Sequence, residues 1–263
     1  MDKSQVEDYL ARIGAQRPAR ADLEALIALQ RAHLATVPFE NLSIHLGEPI
    51  VLTEAALLAK LVDRRRGGFC YELNGAFAAL LTALGYRVSL LSARVVHEDK
   101  AGPPFDHMAL RVDLDEPWLV DVGFGRSAEA PLRLNERGEQ SDGAGTFQLV
   151  EHGDDLDLLM NGGVQYRLDL RPYDLSDFAP TCWWQSTSAD SHFSRFLTCS
   201  LLTLAGRVTL SGTRLYRTTA NGEREQSELT ESEALDTYRT VFGISLERLP
   251  VLAVSEPPRP QRP

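Results

Sequence analysis

The apolar period of this chain changes near Gly85, and that change limits the folds open to it. Before Gly85 apolar residues recur at helical spacing; beyond it they alternate in short runs. Ser4 and Glu7 make a capping box for a first helix that Gly14 stops. A second helix covers about 22–35 and a third starts near Thr53. A fourth follows Cys70, with Leu73, Phe77, Leu80, Leu81 and Leu84 in phase. Strands are predicted over 87–96, 107–112 and 117–122, with a turn at 113–116. More follow over 147–150, 156–160 and 165–170, with Asn161-Gly162-Gly163 as a tight turn. The last third mixes a helix near Trp183, a strand over 199–204, a hairpin around Asn221-Gly222 and a helix over about 231–242 that Gly243 stops. The Pro-rich tail 256–263 reads as extended or disordered. Helices first and strands afterwards predict an α+β chain whose strands form a barrel or a sandwich.

Composition narrows the function classes. A net charge of −10 over 263 residues argues against general nucleic-acid binding, while leaving room for a local basic patch. No apolar run is long enough to span a bilayer, and the first residues lack the basic start and apolar core of a signal peptide. Three cysteines without framework spacing fit a reducing cytoplasm. Paired metal-ligand spacings, a P-loop and a Gly-x-Ser-x-Gly elbow are all missing from the sequence, so no metal is expected.

The chemistry concentrates at Arg66-Gly67-Gly68-Phe69-Cys70-Tyr71-Glu72. Cys70 falls where a Gly-Gly turn gives way to a helix, and the free N–H groups and dipole of a helix start favour a thiolate. Cys182, beside two tryptophans, and Cys199, in an apolar run, read as core. A nucleophilic cysteine needs a base. His107, near the start of a strand, is the first candidate and His192, in a Ser-rich loop, its competitor. His97 and His152 end strands beside charged residues. Asp121 interrupts the apolar run Trp118-Leu119-Val120-Asp121-Val122, and a carboxylate there is costly unless paired. An antiparallel pairing of the 107 and 117 strands would bring Asp121 to His107. An aspartate that merely caps the Gly123-Phe124-Gly125 turn is the alternative. Arg64-Arg65-Arg66 reads as a structural partner of Glu40 or Glu72 rather than a phosphate site.

The Arg-Gly-Gly-Phe-Cys segment, then His107, then Val120-Asp121-Val122-Gly123-Phe124-Gly125, resembles the arylamine N-acetyltransferase family, bacterial type. Tyr9-Leu10-Ala11-Arg12-Ile13-Gly14, Val37-Pro38-Phe39-Glu40-Asn41-Leu42 and Ser194-Arg195-Phe196-Leu197 agree, so the likeness runs to roughly residue 250. The resemblance implies a helical bundle over 1–85, a β-barrel over 86–190 and an α/β lid with its tail over 191–263. It implies a Cys70–His107–Asp121 triad that carries acetyl from acetyl-CoA through an acetyl-cysteine to an arylamine, arylhydrazine or N-hydroxyarylamine. Phe39 and Phe124 match family positions for the acceptor pocket, with Val95 and Phe193 on weaker alignment. Gly123, Phe124 and Gly125 are the candidates for approach to CoA. Three rivals share these residues: an amide synthase closing a macrolactam, a transglutaminase-like or papain-like hydrolase, and a non-catalytic binding module.

Overall fold

Asp2, not Ser4, starts the first helix, Lys3–Ile13. Its carboxylate accepts from the Gln5 N–H at 2.9 Å, and the Gln5 amide oxygen accepts from the Asp2 N–H at 2.8 Å. Asp2-x-x-Gln5 overlaps Ser4-x-x-Glu7, and the earlier pair satisfies the free N–H groups while the Ser4 hydroxyl turns to Asp8. The computed structural model describes residues 1–98, 100–219 and 222–252. Leu23–Thr36 follows, capped by Asp22. Glu54–Leu58, capped by Thr53, runs into the wider turn Ala59–Asp63, and then comes Cys70–Ala83. The first helices bury one face each and the Cys70 helix is buried almost all round: Val6 and Leu10, Leu26 and Leu29, Leu57 and Leu61, Phe77 and Leu80 share one core with Leu110, Val112 and Val120 of the strands.

The strands form an antiparallel sheet in the order Leu132–Arg133, Pro117–Val120, His107–Asp113, Arg87–His97, Gly163–Tyr173, Asp155–Met160, Gly145–His152, Gln140–Asp142. The short strand Lys100–Ala101 adds to Arg87–His97. The two end strands meet through one side chain. Gln140 accepts from the Arg133 N–H at 2.7 Å and donates to the Arg133 carbonyl at 3.1 Å, so the sheet comes close to a closed barrel. Asn161 and Gly162 take the left-handed conformations that their tight turn requires.

Asp121 lies one residue past its strand, not within it. Its carboxylate accepts from the Gly123 N–H at 2.8 Å, and this local turn takes the chain out of the ladder. Phe39–Glu40 pairs with Cys199–Thr203, and Gly206–Ser211, Arg214–Thr219 and Arg224–Glu228 extend that second sheet. Helix Glu231–Thr240 packs on it through Ala234 and Tyr238, which share a core with Cys199 and Leu210. Ala179–Thr187 is the helix expected near Trp183, and His192–Arg195 is a further short one. Asn221 and the tail 256–263 lie outside the described residues. Among the described residues, no helix is long and apolar enough to cross a membrane.

Candidate active site

Gly67 and Gly68 are demanded by contact. A Cβ on Gly67 would lie 1.9 Å from the Pro38 carbonyl oxygen, and one on Gly68 2.7 Å from Glu72 Cβ. The segment therefore runs flush against 38–40, where the Glu40 N–H donates to the Gly68 carbonyl at 2.9 Å. Arg66 pairs with Glu40 at 3.0 Å and with Glu48 at 3.2 Å, the structural role expected of it. Glu72 takes a different cation, the buried Lys60, at 2.7 Å, and its second oxygen accepts from the Phe69 N–H at 3.3 Å. Both ends of the turn before Cys70 are thus tied to buried charge pairs.

Cys70 is the first residue of its helix and is buried. Burial pushes its thiol up, against the easier ionisation expected of a helix start. The backbone of Met108, in the same buried cluster as Cys70, pulls the other way. Met108 follows His107, so the strand that carries the imidazole also touches the thiol. His107 and Asp121 meet as the antiparallel register Leu110↔Val120 requires: Nε2 lies 2.8 Å from Oδ2, both side chains buried. An ionised carboxylate only accepts, so Nε2 carries a proton, and in a neutral imidazole that tautomer leaves the lone pair on Nδ1. Burial alone would raise the Asp121 carboxyl. The His107 interaction, with Asn74 and the Gly123 N–H, holds it below the usual carboxylate range instead. The competitor His192 stacks on Phe196 with centroids 4.5 Å apart and has no carboxylate partner among the described residues.

Two residues that hold this site carry no motif. Asn74, one turn beyond Cys70, donates from Nδ2 to Asp121 Oδ1 at 2.9 Å and to the Met108 carbonyl at 2.7 Å. Its Oδ1 accepts from the Val122 N–H at 3.0 Å. One amide thereby ties the Cys70 helix to the His107 strand and the Asp121 loop. Its only signal in the sequence is a polar residue at i+4 on an apolar helix. Tyr166 donates its hydroxyl to Asp121 Oδ2 at 3.2 Å and sets its ring 5.0 Å from that of His107.

The ring candidates divide into groups. Phe39 and Phe193 face each other at 6.3 Å and pack against the cluster that contains Cys70. Phe124 meets both His107 and Tyr166 edge-on at 5.0 Å. Val95 sits opposite Tyr166 across the sheet. Gly123 owes its lack of a side chain to Cys70, because a Cβ there would lie 2.7 Å from Cys70 Cα. Gly125 has a φ of 82°, left-handed, beside the Phe39 ring. Among the described residues, no group of three or more His, Cys, Asp or Glu side chains is placed to hold a metal ion.

A family model described as N-acetyltransferase matches residues 22–251. The arylamine N-acetyltransferase of Mycolicibacterium smegmatis is 38% identical over 250 residues, which cover 90% of this chain and 91% of that protein. The chain belongs to the arylamine N-acetyltransferase family. It is therefore an acyltransferase, and its α+β architecture of helices and a nearly closed β-barrel sheet superposes on solved structures of the family. The arylamine N-acetyltransferase of Escherichia coli K12 is 36% identical, over 91% of this chain and 88% of that one. A solved structure of the arylamine N-acetyltransferase of Mycobacterium marinum in complex with CoA superposes with a TM-score of 0.84. It is 35% identical and covers 91% of this chain and 92% of its own.

Proposed function

We propose that this acyltransferase works by a ping-pong cycle through an acetyl-Cys70 intermediate, with acetyl-CoA as donor and an arylamine, arylhydrazine or N-hydroxyarylamine as acceptor. The observation that carries the reading is the His107 Nε2–Asp121 Oδ2 bond of 2.8 Å, which leaves Nδ1 as a base beside the strand that contacts Cys70. Because burial holds the thiol protonated, Cys70 becomes a nucleophile by passing its proton to Nδ1, and Asp121 balances the imidazolium that results. The sulfur then bonds to the thioester carbonyl carbon, the carbonyl carbon–CoA sulfur bond breaks, and His107 returns the proton to the departing thiolate. In the second half the amine nitrogen bonds to the acetyl carbonyl carbon and loses its proton to His107, the carbon–Sγ bond breaks, and His107 returns the proton to regenerate the thiol. Phe39, Phe124, Val95 and Phe193 are proposed as walls for the flat acceptor, and Gly123, Phe124 and Gly125 as the turn that CoA approaches. The same reading divides the chain at about residues 85 and 190 and proposes a reducing cytoplasm, which the three free cysteines support.

Intact mass after mixing with acetyl-CoA alone, beside Cys70→Ala, tests it. One acetyl adduct on the wild type, absent from the variant and discharged by an arylamine, is the expected result. If no adduct forms although iodoacetamide still alkylates Cys70, the nucleophile stands and the donor assignment fails.

A further inference from the structure

A cavity of about 810 Å³ opens between helix Leu23–Thr36, the loop that follows Asp121 and the second sheet; neither Cys70 nor any of the four acceptor-wall residues lines it. Its size is that of a small-molecule site. Its charge is unusual for this chain. Arg31, Arg126, Arg207 and Arg224 line it against a single carboxylate, Glu129, in a protein whose net charge is −10. None of the four guanidinium groups has an ion-pair partner within 4.0 Å among the described residues, whereas Arg66, before Cys70, has two.

Arg207 makes the point most sharply. It projects from strand Gly206–Ser211, is half-buried, and donates to the Ser200 hydroxyl at 3.1 Å. Burial and the neighbouring Arg126 bring it down to about 10, with Glu129 pulling the other way. Taking a guanidinium out of water beside a second one is costly unless an anion completes the arrangement. Arg224 lies over the Tyr216 ring at 3.9 Å, which holds one wall of cations in place. Leu34 and Leu202 supply apolar surface beside the charges.

We propose that this cavity binds the phosphate or pyrophosphate group of a small phosphorylated ligand. Guanidinium forks match phosphate oxygens two at a time, and several unpaired forks around one cavity suit a multiply charged anion. The apolar surface takes the ligand's organic part. Two sources have this chemistry, the nucleotide end of the acyl-CoA donor and a separate phosphorylated metabolite.

Calorimetric titration of the full chain with inorganic pyrophosphate, in phosphate-free buffer, tests the site. Saturable binding is expected, weakened about tenfold or more in Arg207→Gln and in Arg126→Gln, because each removes charge-assisted hydrogen bonds. Arg126 is exposed, so its replacement leaves the fold intact and keeps the test decisive if Arg207→Gln unfolds. Competitive displacement of pyrophosphate by CoA identifies the donor's nucleotide end as the ligand; simultaneous binding identifies a separate one. Absence of saturable binding, or equal affinity in both arginine variants, overturns the proposal. Cys70→Ala is expected to bind pyrophosphate like the wild type, so failure of the acetyl-cysteine reading would leave this result unaffected.

Discussion

An alanine at position 123 tests how tightly the site is built. The added Cβ would lie 2.7 Å from Cys70 Cα, 2.7 Å from Asn74 Nδ2 and 3.1 Å from the Cys70 carbonyl oxygen. Two of these atoms belong to the backbone of a buried helix and cannot swing away. The loop must withdraw instead, by about 0.7 Å to reach ordinary contact, and overpacking of this kind costs about 1–3 kcal/mol. The same movement stretches the 2.8 Å bond from the Gly123 N–H to Asp121 and disturbs the carboxylate that orients His107. A misplacement approaching 1 Å near reacting groups lowers turnover by about 100-fold. Gly123→Ala should therefore lose about 1–3 kcal/mol in urea unfolding and about 100-fold in kcat/KM for arylamine acetylation. Alkylation of Cys70 by iodoacetamide, followed beside the kinetics, reports whether the thiol itself remains reachable. Wild-type stability with kcat/KM within about threefold of wild type would mean that the loop yields freely and that contact with Cys70 does not hold it.

Asn74→Ala removes one bond to a carboxylate and strands a buried carbonyl and a buried N–H. A loss of about 3–5 kcal/mol in urea unfolding is expected, with acetylation falling further than Cys70 alkylation. His107→Gln removes the base proposed for the buried thiol. Iodoacetamide labelling of Cys70 should then be slow at neutral pH and recover only under alkaline conditions; unchanged labelling at pH 7 would show that burial does not hold the thiol protonated. Asp121 has its carboxyl held below the ordinary range, so its contribution to stability is complete above the unfolded value of about 4 and is lost as pH falls through the folded one. Urea midpoints at pH 7 and pH 3 should accordingly differ less in Asp121→Asn than in the wild type. Lys60→Met leaves Glu72 buried without its cation, and a loss of about 3–5 kcal/mol in thermal or urea unfolding checks that the pair anchors the turn before Cys70.

The helix and strand elements were legible wherever the signal is local. Asp22 and Thr53 cap the helices that follow them, Gly14 and Gly243 take the left-handed turns that end theirs, and Asn161-Gly162 turns a hairpin. Legibility failed where two local signals competed or where the partner is distant. Asp2 and Ser4 both fit a capping box, and only the position of the folded turn selects Asp2. Asp121 follows an apolar run that reads as continuous, and its departure from the ladder depends on a side-chain bond to Gly123. Phe39–Glu40 is too short to read as a strand, and it forms one by pairing with residues about 160 positions away.

By itself the sequence determined the change of period near Gly85, the placement of a cysteine at a helix start behind two glycines, and a carboxylate beside a Gly-Phe-Gly turn. Each is set by dihedral freedom, capping or spacing over a few residues, which neighbours in the chain decide. Tertiary structure decided the rest: the 2.8 Å contact of His107 with Asp121, the amide of Asn74 that ties three elements together, and the gathering of Arg31, Arg126, Arg207 and Arg224 around one cavity. These groups come from segments far apart in the chain. Their distances follow from sheet register and helix packing, which no local pattern encodes.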